Sequence, residues 1–99
     1  MKFSKALVEE LECQGVGVYH KYSGRFMYGA TCFGVVGDVD EFVGKMYLLS
    51  RNPEFGAVCD EFFTGLAQKS LVMRFDSLCT DTIYYFPDIT VEEDEKDEE

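Results

Sequence analysis

Apolar residues in the first 15 positions recur at three- and four-residue spacing, at Leu7, Val8 and Leu11. Ser4 precedes this run and Gly15 follows it. Serine is favoured at helix N-caps, and glycine is favoured just past helix C-termini. The pattern therefore predicts a first helix between these two residues.

After the first helix the period changes to two, which is typical of strands. In residues 15–22 the alternation assigns one face to Val16, Val18, His20 and Tyr22, and the other to Gly17, Tyr19 and Lys21. Residues 23–29, "SGRFMYG", have turn composition. Residues 30–37, "ATCFGVVG", are apolar on both faces, which predicts a strand that is central or covered by helices. The two strands form a predicted hairpin.

Helical spacing returns after residue 37, in two segments. Asp38 suits an N-cap and Glu41 follows at the capping-box distance. Asn52 and Pro53 have the residue types of the N-cap and first position of the next helix. Apolar side chains recur every three or four residues after each start. These signals predict two consecutive helices.

Two alternating segments, residues 71–76 and 82–86, complete the pattern and are followed by Pro87, which ends a strand. The predicted order is α-β-β-α-α-β-β. Hairpins separated by helices indicate an α+β fold, a two-layer single domain with a mainly antiparallel sheet. We expect a globular domain over residues 1–90 and an acidic disordered tail over residues 91–99.

Charge narrows the function classes. The net charge is −10, of which residues 92–99 carry −6. The negative electrostatic field of the chain disfavours direct binding to nucleic acid and favours binding to a basic protein surface. There is no run of about 18 apolar residues, and Glu9, Glu10 and Glu12 interrupt a signal-peptide core. The prediction is a host-cytoplasmic protein without membrane association.

Catalytic and metal chemistry have little support in the sequence. The four cysteines have no C-x-x-C spacing, and His20 is the only histidine, so no zinc pattern or cofactor is expected. The cysteines are expected to be reduced and mostly buried. His20 and Cys32 on paired strands are the one candidate nucleophile pair, without an orienting third group. The expectation is a protein that is not an enzyme, and a small enzyme using this pair is the alternative.

Two groups of residues are candidates for binding another protein. Arg25, Phe26 and Tyr28 form a cationic, aromatic loop suited to anchor a partner. The alternative is a loop folded onto the core, with Arg25 paired to Asp38 or another nearby acid. The second group consists of acids on predicted helices: Asp38, Asp40, Glu41, Asp60 and Glu61. These could meet a basic surface, or they could form ordinary solvated helix faces.

Residues 23–29, with Cys32 and Gly37-Asp38 after them, resemble a pattern seen in short uncharacterised phage and mobile-element proteins. Those proteins typically have glycine at the position of Phe26. In size and acidity the chain is also similar in type to anti-CRISPR proteins. The pattern implies no known active site, whereas the similarity in type favours a phage counter-defence inhibitor that occupies a basic surface of a host nucleic-acid-handling complex, such as a CRISPR effector. The alternative is a self-assembling accessory domain, pairing two copies through the loop or an edge strand.

Overall fold

The computed structural model describes residues 1–24, 27–77 and 81–92. It confirms the α+β class and the order of the predicted helices and strands, and adds one short strand at each end of the order. The elements are β1 Lys2–Phe3, α1 Lys5–Cys13, β2 Gly17–Tyr22, β3 Cys32–Val36, α2 Val39–Leu49, α3 Gly56–Ala67, β4 Arg74–Ser77, β5 Thr82–Phe86 and β6 Thr90–Val91.

The four longer strands form one antiparallel sheet in the order β2-β3-β5-β4. The helices pack on one face of it through a cluster of phenylalanines. Phe33 and Phe86 lie opposite each other on β3 and β5. Phe42 of α2 and Phe62 of α3 contact both the sheet and each other, with ring centroids 5.5 to 5.9 Å apart. The central position of β3, which its apolar sequence predicted, is confirmed.

Two of the predicted helix starts are confirmed. The Ser4 hydroxyl accepts a hydrogen bond from the Leu7 amide, and the Asp38 carboxylate accepts from the amides of Asp40 and Glu41. These side chains satisfy amides that the first helical turn leaves without partners.

The predicted start of the next helix at Asn52 and Pro53 was wrong. The Asn52 side chain accepts from the Glu54 amide, and its carbonyl accepts from the amides of Phe55 and Gly56. These bonds are those of a capped turn, but the turn precedes α3, which begins only at Gly56 with Phe55 at its N-cap position.

A bulge in β2 reverses the predicted direction of Tyr22. Tyr19 pairs with Gly34, but Tyr22 pairs with Cys32, so β2 contains one more residue than β3 between these pairs. Because one additional residue shifts the alternation, Tyr22 lies on the face of Tyr19. The predicted alternation put it instead on the face of Val16 and Val18, so that prediction was wrong.

The last hairpin begins later than predicted, at Arg74. The Leu71 amide donates to the Gly65 carbonyl at the end of α3, and the Val72 amide lies 3.4 Å from the Asp88 carboxylate. Residues 71–73 therefore follow the turn after α3. The predicted end of β5 before Pro87 is confirmed.

The short strands β1 and β6 pair in parallel and connect the two ends of the described chain. The Thr90 amide donates to the Met1 carbonyl, and the Glu92 amide donates to the Phe3 carbonyl. Val91, assigned to the tail by the sequence analysis, thus lies in a strand. The remainder of the predicted tail, residues 93–99, lies outside the described residues.

Candidate partner-binding surfaces

The two layers of the fold carry different charges. The three helices contain seven acidic residues and two lysines, a net charge of −5. The four strands of the main sheet contain Lys21 and Arg74 against Asp76, a net charge of +1 when His20 is neutral. Negative charge in the described fold is therefore concentrated on the helix layer.

Three of the predicted acidic residues lie at the beginning of α2. Asp38, Asp40 and Glu41 are all exposed. Asp38 is held by hydrogen bonds of 3.0 and 3.2 Å from the amides of the other two. Carboxylates at a helix N-terminus are also stabilised by the helix dipole. The local geometry thus keeps three negative groups together on a fixed turn.

The other two predicted acidic residues, Asp60 and Glu61, lie on the outer side of α3. Both are exposed, whereas the adjacent Cys59 and Phe62 are fully buried. The Phe42 and Phe62 rings, 5.6 Å apart, hold α2 against α3. Within the part of the chain that the structure describes, Asp40, Glu41, Asp60 and Glu61 form no salt bridge. Their charges are available to a partner.

Of the predicted loop anchor, Arg25 and Phe26 lie outside the described residues, as does the proposed pairing of Arg25 with Asp38. Tyr28 is described and is 92% exposed, with a positive φ of 51°. It lines a cleft of about 530 Å³. The other lining residues are Met27, Ala30, Arg74, Tyr85 and Pro87. Tyr28 is thus presented to solvent beside a cleft whose lining is mainly apolar and aromatic, with one arginine.

The sheet face opposite the helices carries a tyrosine cluster that the sequence analysis did not find. The Tyr22 ring lies 5.5 Å from the Tyr19 ring and 5.2 Å from the Tyr85 ring. Its hydroxyl donates a 2.5 Å hydrogen bond to Asp76 on β4. A methyl group at Gly34 would lie 3.3 Å from the Tyr22 Cβ, so the glycine leaves room for the tyrosine.

The environment of Tyr22 favours its neutral form. Burial is the larger cause and the hydrogen bond to Asp76 the next, and together they raise the pKa of Tyr22 to about 12. The hydroxyl therefore remains a donor at neutral pH and connects β2 to β4. Gly34 within a strand was the signal that could have indicated close packing here.

The candidate nucleophile pair is not assembled. The His20 Nε2 atom lies 3.4 Å from the Glu12 carboxylate of α1, on the helix side. Cys32 is buried on the other side of the sheet, where its Sγ lies 3.6 Å from the Met27 sulfur. Burial raises the pKa of the Cys32 thiol to about 11, which makes it a poor nucleophile at neutral pH. The prediction that His20 and Cys32 lie close enough to react was wrong.

The other thiols differ in their environments. Cys59 is buried and its pKa is raised to about 11 by burial, with a smaller contribution from Asp60. Cys13 is exposed. Cys13, Cys32 and Cys59 are all free thiols, as the sequence analysis expected, and Cys79 lies outside the described residues.

Comparison with known proteins gives no relative: no family model, curated protein or solved structure matches the chain. Within residues 1–24, 27–77 and 81–92, no group of three metal-ligating side chains is close enough to hold a metal ion. None of the helices described is long and apolar enough to cross a membrane.

Proposed function

We propose that this protein is a non-catalytic binding protein whose acidic helix layer occupies a basic surface on another protein. The observation that carries the proposal is the separation of charge, with −5 on the helices and +1 on the main sheet. A surface of one sign attracts a complementary surface and increases the rate of encounter, and this attraction falls as salt is added.

Fixed positions for the carboxylates support a structured surface rather than a diffuse negative charge. The Asp38 cap orders the first turn of α2, and the Phe42–Phe62 contact joins α2 to α3. Because the helices are packed, these carboxylates lose little backbone freedom when they meet lysines and arginines, which lowers the cost of binding.

The concrete form of the proposal is a phage counter-defence inhibitor that occupies the basic nucleic-acid groove of a host complex, such as a CRISPR effector. The similarity in type to anti-CRISPR proteins favours this form. In this form of the proposal, the acidic helix layer binds where the phosphate groups of the nucleic acid would bind. Arg25, Phe26 and Tyr28 supply a second, separate contact, because Tyr28 lines a cleft with Arg74 and Tyr85 of the sheet face opposite the helices; the 92% exposure of Tyr28 supports that role.

The test compares two variants that have the same net charge. The helix-layer variant carries five substitutions: Asp38→Asn, Asp40→Asn, Glu41→Gln, Asp60→Asn and Glu61→Gln. Asparagine at position 38 retains a side-chain oxygen for the cap. The tail variant also carries five: Glu93→Gln, Asp94→Asn, Glu95→Gln, Asp97→Asn and Glu98→Gln. Each variant changes the net charge from −10 to −5.

Both variants and the wild type are immobilised, exposed to bacterial lysate at low and high salt, and compared by quantitative mass spectrometry. We expect the wild type and the tail variant to retain a nucleic-acid-binding partner at low salt, and the helix-layer variant to lose it. High salt is expected to release the partner from all three. Equal retention by the two variants would reject the helix layer as the binding surface.

A further inference from the structure

Strand β4 forms one edge of the main sheet and carries an exposed aromatic residue. Among the described strands it pairs only with β5. Val35, Tyr84 and Phe75 form a row across β3, β5 and β4 on the helix side. Val35 is fully buried, whereas Phe75 is 64% exposed, so the helix layer does not cover the end of this row. An uncovered edge strand is a template for pairing with another strand.

The sequence of β4 is complementary to itself in one antiparallel register. Arg74 and Asp76 lie on either side of Phe75 and share the other face of the strand. A two-fold axis at Phe75 would place Arg74 opposite Asp76 of a second copy. By symmetry it would also place Asp76 opposite Arg74 of that copy. It would also place the two Phe75 side chains opposite each other. Opposite charges and paired aromatics in these positions stabilise antiparallel strands.

Neighbouring symmetric registers lack this complementarity. An axis at Arg74 would place two arginines opposite each other, and an axis at Asp76 would do the same with two aspartates. A shift of one residue in the pairing would place Phe75 opposite a residue from the other face of the sheet. The register centred on Phe75 is therefore specified by charge and by the apolar face together.

The surroundings of β4 suit this pairing. Arg74 is exposed and forms no salt bridge with the residues that the structure describes. Asp76 accepts from the Tyr22 hydroxyl on Oδ2, toward the interior of the sheet, which leaves Oδ1 as the acceptor for Arg74 of a second copy. The strand belongs to the layer with a net charge of +1, so pairing there keeps the acidic helices of two copies away from the contact.

We propose that two copies of this chain associate through β4, antiparallel and centred on Phe75, to form a continuous eight-stranded sheet. This symmetry places both helix layers on the same side of the joined sheet. If the proposed function holds, the dimer presents two acidic surfaces side by side, which strengthens binding to a repeated or extended basic partner. The dimer itself does not depend on that function.

A charge exchange tests the register directly. In the Arg74→Asp variant, positions 74 and 76, which lie opposite positions 76 and 74 of the second copy, are both acidic. In the Asp76→Arg variant they are both basic. Each variant alone therefore places like charges opposite each other, whereas a mixture of the two restores both ion pairs. We expect sedimentation equilibrium to show a concentration-dependent dimer for the wild type, at least about tenfold weaker association for each variant alone, and recovery in the mixture.

Controls separate the interface from the fold. Lys69→Asp makes the same charge change as Arg74→Asp at an exposed position outside the sheet, and is expected to dimerise like the wild type. Circular dichroism checks that each variant is folded. If Asp76→Arg does not fold, Phe75→Lys serves instead, and is expected to abolish self-association. A wild type that is monomeric at all concentrations, or a mixture no more associated than its components, would overturn the proposal.

Discussion

The Tyr22–Asp76 hydrogen bond lies on the sheet face opposite the helices, and its contribution can be tested by removing one oxygen atom. Tyr22→Phe removes the hydroxyl but keeps the ring over Gly34, between the rings of Tyr19 and Tyr85. Only the 2.5 Å bond that joins β2 to β4 is lost. The variant therefore measures this connection with little change in packing.

The expected cost follows from the nature of the bond. A hydrogen bond to a charged group contributes about 1.5–3 kcal/mol, and because both partners here are only partly buried we expect about 1–2 kcal/mol. For a domain of this size each kcal/mol lowers the Tm by about 4–8 °C, so the Tm should fall by about 5–15 °C. Thermal and urea unfolding followed by circular dichroism measure both quantities.

Tyr19→Phe is the matched control, because Tyr19 is 41% exposed and its hydroxyl forms no hydrogen bond with the described residues. We expect it to leave the Tm nearly unchanged. A double-mutant cycle with Asp76→Ala, which leaves the Tyr22 hydroxyl without an acceptor at this position, isolates the pair from the effect of either residue alone. An equal loss of stability in the two tyrosine variants would refute the reasoning, as would additive effects in the cycle.

The pH dependence of Tyr22→Phe gives a second, independent readout. The pKa of Tyr22 is raised from 10 to about 12 in the folded state. The folded protein therefore binds the Tyr22 proton more tightly than the unfolded chain does. The stabilisation that comes from this tighter binding is lost as pH rises from about 10 to 12. Cys32 and Cys59, with pKa values raised to about 11, add a loss that begins near pH 9 in both proteins. Tyr22→Phe should lose less stability over pH 10–12.

Three further substitutions test local features of the fold, each by urea unfolding. Gly24→Ala should destabilise by about 1–3 kcal/mol, because a Cβ there would overlap the Tyr85 ring; an unchanged midpoint would show that this loop is not packed on the ring. Gly44→Ala should stabilise α2 by about 0.5–1 kcal/mol, since a Cβ would meet nothing within 4 Å, and destabilisation would contradict this. Asp38→Ala should cost about 1 kcal/mol through loss of the α2 cap, whereas Asp38→Asn should cost little; equal costs would contradict the capping role.

Local signals in the sequence identified the features that depend on local chemistry. Ser4 and Asp38 predicted two helix starts because capping involves residues only two or three positions apart. The apolar sequence of β3 predicted its central place because a strand covered on both sides excludes polar residues. The exposure of Asp60 and Glu61 followed similarly from their places on an amphipathic helix.

Features that depend on distant pairing could not be predicted in this way. The bulge that turns Tyr22 toward Asp76 arises from the register of β2 on β3, and the bond itself joins residues 54 positions apart. The pairing of β1 with β6 involves only two residues from each, too few for a periodic signal. The late start of α3 reflects a turn at Asn52 whose side chain suits a helix cap equally well.

The measurement that tests the central claim most directly is the salt dependence of binding to the purified partner. Affinity is determined by titration calorimetry over a series of salt concentrations for the wild type, the helix-layer variant and the tail variant. We predict that the wild type and the tail variant share a steep decrease of affinity with salt, and that the helix-layer variant binds weakly with a shallow dependence. Equal affinities and equal salt dependence for the two variants would contradict the claim that the acidic helix layer binds the partner.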